Sequence, residues 1–226
     1  MAYPRIESSS LQFLKDLMVN NSRDWFAANK DRYEAAKDNW KAFSIALMDA
    51  MNEVDSITDY KVWRIYRDVR FSKDKTPYNT HFSTGLTREK PRLRGGYYLR
   101  VKPGESTIAG GFWGPEKNDL KRIRQEIDVN VQPIRDALDN ADLKKHFGQL
   151  WGEQVKSAPR GYAKDHPNID LLKYKQFILH KPLTQKIILS KDFIPHLVEA
   201  YVAMRPFFDI MTDILTTDEN GVPLYE

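Results

Sequence analysis

The chain has 226 residues, of which 41% are hydrophobic and 12% aromatic; that is enough for a packed core and excludes intrinsic disorder over most of the length. It contains no cysteine, which rules out disulfides, iron–sulfur clusters, thiolate zinc sites and cysteine nucleophiles together. Lys and Arg total 35 against 31 Asp and Glu, a net charge of only +4, and no apolar run approaches the roughly 20 residues of a membrane span. The first ten residues lack the basic-then-apolar pattern of a signal peptide. The expectation is one globular domain over residues 1–226, in the cytoplasm and not in a membrane, with a flexible tail at 216–226.

Taken in chain order, the N-terminal third reads as helix. Leu11, Leu14, Leu17 and Met18 share one face of a short helix capped by Ser10. A second helix starts after Asn21 or Ser22 and carries Trp25, Tyr33, Ala36, Trp40, Phe43, Leu47 and Ala50 at steps of mostly three and four. It is expected to run from Arg23 to about Glu53 with a bend near Asp38-Asn39, whose side chains compete for backbone hydrogen bonds. From Val62 the period changes. Val62 to Phe71 is rich in β-branched and aromatic residues and reads as a strand. Tyr97–Lys102 and Thr107–Trp113 read as a hairpin around Lys102-Pro103-Gly104-Glu105. A helix with Leu120, Ile123 and Ile127 follows Pro115, then short helices near Gln132–Leu138 and Leu143–Phe147, and a strand at Gln176–His180. The last helix, capped by Ser190, carries Ile194, Leu197, Tyr201, Met204 and Phe208, with a kink expected at Pro206. Strands in the middle with helices before and after argue for an α+β fold: a central antiparallel or mixed sheet with N-terminal and C-terminal helices packed on it.

The charge is unevenly spread. Between Lys61 and Lys102 there are 12 basic residues and three acidic ones, a local +9, which leaves −5 for the remainder. Such a segment concentrates anionic partners around it.

Inside it, Arg64-Ile65-Tyr66-Arg67-Asp68-Val69-Arg70-Phe71-Ser72-Lys73-Asp74-Lys75-Thr76-Pro77-Tyr78 resembles the signature of a mainly bacterial family catalogued as domain of unknown function 2461. Asn20 to Phe26 with Asn29, Tyr33 and Glu34, then Gly110-Gly111-Phe112-Trp113, then Pro159-Arg160-Gly161-Tyr162 with His166-Pro167 and Leu172-Lys173, are similar to its other blocks. The resemblance implies a shared single-domain α+β fold. It implies no reaction and assigns no catalytic residue.

The residues themselves suggest a chemistry. Arg64 and Arg70 on one face of the expected strand, Arg67 on the other, and Lys73, Lys75, Tyr78 and His81 close behind form a candidate anion-binding pocket. Guanidinium groups fork onto carboxylate or phosphate oxygens, and ammonium groups add point charge. The competing reading is a structural ladder in which Arg64 and Arg70 bond neighbouring carboxylates and Lys73–Pro77 is a solvated turn. His81 and His166 have the right type for a general base, although a hydrogen-bonded loop histidine is the simpler reading of each. No His-Glu-x-x-His, phosphate-binding glycine loop or nucleophile elbow occurs, so nothing calls for a metal or a cofactor.

Three functions remain open: binding of a small anionic ligand bearing phosphate or carboxylate, with or without catalysis; a protein interaction module without a small ligand; and a nucleic-acid module. The last would use Arg88, Lys90, Arg92 and Arg94 with Lys121, Arg122 and Arg124 along a phosphate backbone. Ranked by density of charged groups, the anion pocket comes first, and the oligomeric state is left open.

Overall fold

A computed structural model describes residues 3–218 and 220–224. In chain order the elements are α1 (Ser8–Val19), α2 (Arg23–Ala28), α3 (Lys30–Asn52), β1 (Ile57–Val62), β2 (Phe82–Arg88), β3 (Gly96–Val101), β4 (Thr107–Phe112), α4 (Lys117–Val129), α5 (Gln132–Asp139), α6 (Ala141–Phe147), α7 (Ile169–Leu172), β5 (Phe177–Pro182), α8 (Gln185–Ile188), α9 (Phe193–Ala203) and α10 (Arg205–Thr216). The sheet is antiparallel with order β1-β2-β3-β4-β5, so each strand pairs with the next in sequence, and the fold class is α+β.

The chain forms two compact units. The first comprises the chain up to Leu86, Tyr98–Ile108 and Pro182–Val198. Its core is aromatic: Trp40 stacks between Phe43 and Phe82 at 5.9 and 5.8 Å, and Phe193 stacks on Phe43 at 5.2 Å. Burying each such ring contributes about 1.5–3 kcal/mol. A buried hydroxyl pair between helix and strand is satisfied internally, with Ser44 Oγ and Thr84 Oγ1 2.6 Å apart. Asn39 fixes the chain entering α1 onto α3: its Oδ1 accepts from the Glu7 N–H and its Nδ2 donates to the Arg5 carbonyl.

The expected single helix from Arg23 to Glu53 is broken, and the break lies at Asn29 rather than at Asp38-Asn39. Asn29 Nδ2 donates to the Trp25 carbonyl at 2.9 Å, which ends α2, while the Asn29 carbonyl accepts from Tyr33 N–H and starts α3. Asn39 stays helical because its side chain has partners off the helix. Pro206 does not kink a continuous helix either. The chain breaks at Met204, and Pro206 occupies the first turn of α10, where no N–H is required.

The second unit comprises Thr87–Tyr97, Ala109–Lys181 and the chain from Glu199 on. Tyr97, Phe112, Tyr201 and Phe208 form its aromatic core, with Tyr97 4.7 Å from Tyr201 and 5.2 Å from Phe208. Arg88 is fully buried there and donates to the Arg94 carbonyl at 3.0 Å and to Asp209 Oδ1 at 3.2 Å. After α10, Thr217 bridges Pro223 and Leu224 N–H donates to the Thr216 carbonyl. Of the tail expected at 216–226, Glu219, Tyr225 and Glu226 lie outside the described residues.

Gly111 permits the closest backbone approach in this unit. Its φ is +142°, and a Cβ placed on it would sit 2.1 Å from the Phe177 carbonyl oxygen and 2.9 Å from Ile178 Cα. Neither atom is the end of a flexible side chain, so the strands themselves must part. Gly111→Ala is therefore expected to cost at least about 3 kcal/mol, measured by urea denaturation, with Gly114→Ala, which faces open space, as the neutral control.

Candidate functional site

The sequence places its candidate cations on a strand, but β1 ends at Val62 and residues 63–81 form an irregular loop. Local side-chain bonds to the backbone displace the strand. Asp68 Oδ1 accepts from Arg70 N–H at 3.2 Å and Asp74 Oδ1 from Thr76 N–H at 2.9 Å, which turns the chain where a strand would run straight. The two legs of the loop meet at the Tyr66–Tyr78 bridge, with Arg67 N–H donating to the Pro77 carbonyl and Asn79 N–H to the Ile65 carbonyl.

Within the loop the basic residues spend most of their donors on the loop itself. Arg67 Nη1 donates to Asp74 Oδ2 at 2.6 Å, to the Thr76 carbonyl at 3.0 Å and to the Thr76 hydroxyl. Arg70 forks onto Asp68, Nε to Oδ1 at 3.0 Å and Nη2 to Oδ2 at 2.6 Å. Lys75 Nζ donates to the Val69 carbonyl at 3.0 Å. Thr76 N–H and hydroxyl, with the Arg67 guanidinium, hold the Asp74 carboxyl down at about 2. Arg64 and Lys73 are exposed and make no ion pair among the described residues. Tyr78 is buried, its ring stacked on Phe26 at 3.9 Å, and Asn21 bonds both its N–H and its carbonyl. Of the seven candidate residues, Arg67, Arg70 and Lys75 are thus joined to loop acceptors, Tyr78 belongs to an aromatic cluster, and Arg64 and Lys73 face solvent.

His81 stands apart from that network. Burial first, then the charges of Arg100 and Lys102, lower its pKa to about 4. Lys102 Nζ in turn bonds Glu105 Oε2 at 2.7 Å, and Arg100 Nη2 donates to the Glu105 carbonyl at 3.2 Å. The imidazole is neutral at physiological pH and sits beside cations.

A stronger cluster lies on α4, where the sequence reading noted Lys121 and Arg124 only as a phosphate track. Ile123 and Ile127 point into the core of the second unit. Lys117, Lys121, Arg124 and Asp128, at steps of four, three and four, fall together on another face. That face and the turn Arg160-Gly161-Tyr162 line a cavity of about 490 Å³, floored by Leu120 and Gln125. The turn is closed by Tyr162 N–H donating to the Pro159 carbonyl at 3.1 Å. Arg124 is half-buried, and burial pushes its pKa down. Its Nε donates to the Leu172 carbonyl at 3.0 Å and its Nη2 to the Tyr174 carbonyl at 3.2 Å. None of Lys117, Lys121, Arg124 and Arg160 is ion-paired among the described residues.

Asp128, the carboxylate of the cavity, is held by His166. Asn168 N–H donates to His166 Nδ1 at 3.0 Å, which leaves the ring proton on Nε2, 2.9 Å from Asp128 Oδ1. Both ring nitrogens are engaged, so His166 positions Asp128 and ties its loop to α4. Burial, then the Asp128 charge, pushes the Tyr162 phenol up. The arrangement offers an anion four cations, a phenol and one carboxylate already bonded.

Of the other residues in the phosphate track, Lys90 is exposed. Arg88 is buried, Arg92 pairs with Glu89, Arg94 with Asp119, and Arg122 donates to the Ile214 and Asp218 carbonyls. Among the described residues no group of three His, Asp or Glu is placed to hold a metal ion, and no helix is long and apolar enough to cross a membrane.

The His81 environment sets a pH dependence. The unfolded chain takes up this proton near 6.5 and the folded chain only near 4, so the unfolded state binds more protons in between. Stability from this group is full above pH 6.5 and falls as the pH drops from 6.5 towards 4. An NMR titration is expected to give a His81 midpoint near 4 that rises partway towards 6.5 in Arg100→Gln; a wild-type midpoint at 6.5 removes the account.

Comparison with curated proteins and with solved structures gives no match. The family model described as "Conserved hypothetical protein (DUF2461)" matches residues 9–210, which takes in the stapled loop, the Gly110-Gly111 pair and the Arg160–Tyr162 turn. With nine-tenths of its length covered by that match, the chain belongs to the DUF2461 family.

Proposed function

We propose that the protein binds a small anionic ligand, through a phosphate or carboxylate group, in the cavity between α4 and the Arg160–Tyr162 turn. The observation that carries the reading is a half-buried guanidinium without a counter-ion among the described residues. Arg124 has carbonyl acceptors, which bring partial charge only, while Lys117, Lys121 and Arg160 add three more unpaired cations to the same cavity. A charge withdrawn from water without a counter-ion is costly, and a bound anion offsets that cost. The volume of about 490 Å³ falls within the roughly 300–1,000 Å³ of small-molecule sites. Lysines supply point charge for a phosphoryl group, and Tyr162 and Leu120 give an organic body something to lie against.

The chemistry favours binding over catalysis at this place, because Asp128 and His166 are committed to each other and leave no free base. On this reading the protein works in the bacterial cytoplasm, on a soluble anion. The ligand class is the one the basic segment suggests; its place is α4 rather than the loop.

Thermal melting with a panel of inorganic phosphate, phosphate monoesters, and di- and tricarboxylates tests it. A ligand at 100 times its Kd is expected to raise the melting temperature by roughly 5–10 °C. Lys121→Glu, an exposed position, should abolish the shift without lowering the unliganded melting temperature. A panel without any shift, or an equal shift in Lys121→Glu, defeats the reading.

A further inference from the structure

We propose that the loop 66–78 is a docking arm whose tip residue, Phe71, fills an apolar pocket with acidic residues at its rim on a partner protein. Phe71 is 97% exposed, the most exposed large hydrophobic side chain among the described residues. It is not the end of a loose segment. Ser72 N–H and Lys75 Nζ both donate to the Val69 carbonyl, and the Arg70–Asp68 and Arg67–Asp74 pairs brace the chain on either side of the tip. The base is anchored by the Tyr66–Tyr78 bridge and by Tyr78 stacked on Phe26. An aromatic ring presented in water by a braced loop loses little further freedom on binding, which is the arrangement of a pre-organised anchor.

The charge economy of the loop selects the partner. Arg67 and Arg70 pair with loop carboxylates and Lys75 bonds only a carbonyl, so among the described residues the loop's cations without a counter-ion are Arg64, Lys73 and Lys75. Three cations release few counter-ions for firm nucleic-acid binding, and one ring gives one stacking platform. Asp68 and Asp74, 45% and 59% exposed on the same loop, neutralise two of its arginines, and a single ring buries too little apolar surface to hold the arm on a lipid surface. A convex arm with one aromatic tip instead matches a concave protein pocket, with Arg64, Lys73 and Lys75 meeting acids at its rim.

The test places the photo-crosslinker p-benzoylphenylalanine at position 71 of the full chain in the producing cell, with Val129, 84% exposed, as the control position. One adduct specific to position 71 is expected. The protein in it is then purified and its affinity measured: Phe71→Ser should weaken binding at least about tenfold, Phe71→Trp should stay within about threefold, and neither should change the melting temperature. The proposal is overturned if position 71 gives no specific adduct or if Phe71→Ser binds the purified partner like wild type. It is equally overturned if the chain shows Phe71-dependent retention on phosphatidylglycerol–phosphatidylethanolamine vesicles or on an oligo-dT strand.

Discussion

A guanidinium taken out of water must find acceptors for its N–H donors and an opposite charge for its own, and this chain meets that requirement unevenly. Arg88, the deepest, has both: the Arg94 carbonyl and the Asp209 carboxylate. Arg67 has a carboxylate, a carbonyl and a hydroxyl within one loop. Arg122 has carbonyls at the C-terminal end of α10, where the helix dipole is negative. Arg124 has the carbonyls of Leu172, which ends the four-residue α7, and of Tyr174 beyond it, and no carboxylate among the described residues. The first three arginines build the fold. The fourth leaves positive charge over, and it does so beside a cavity.

That difference separates two kinds of basic surface. In the loop 63–81, charge is used as mortar. The carboxylates of Asp68 and Asp74 lie within bonding distance of guanidinium groups, and the result is shape: a braced arm with a bare ring at its tip. Each of these surface pairs is worth little alone, so their effect is on which conformation the loop keeps rather than on global stability. On α4, Lys117, Lys121 and Arg124 have no such partners among the described residues, and all three line one hollow.

The elements that were legible in the amino-acid order are those whose signal is local. The β3–β4 hairpin follows from Lys102-Pro103-Gly104-Glu105 between two alternating runs, and α4 from the spacing of Leu120, Ile123 and Ile127. The strand expected at Val62–Phe71 has the right composition, but its aspartates bond the backbone two residues on, and composition does not register that competition. β2 is harder to see: Gly85 and the small polar residues around it dilute the alternation of Phe82, Leu86 and Arg88, and Arg88 faces inward because Asp209, 121 residues away, is there to meet it. The break at Asn29 hinges on one side chain reaching back one turn.

The α4 cluster is easy to pass over for the same reason that the loop draws attention. A count of basic residues measures charge density, whereas a ligand meets only charge that the fold has not already neutralised. The segment Lys61–Lys102 is dense in cations, yet Arg67, Arg70, Arg88, Arg92, Arg94 and Lys102 all pair with acids of the chain. The helix α4 is sparser, but its residues 117, 121 and 124 repeat at helical spacing on a face away from Ile123 and Ile127, with one acid at 128 closing the series. Helical periodicity applied to charge, as it was to apolar residues, picks out that stripe, and the turn at Arg160 completes it only in three dimensions. Unpaired charge at a regular spacing is therefore what distinguishes the α4 cavity in this chain from the richest run of arginine and lysine, most of whose arginines pair with acids.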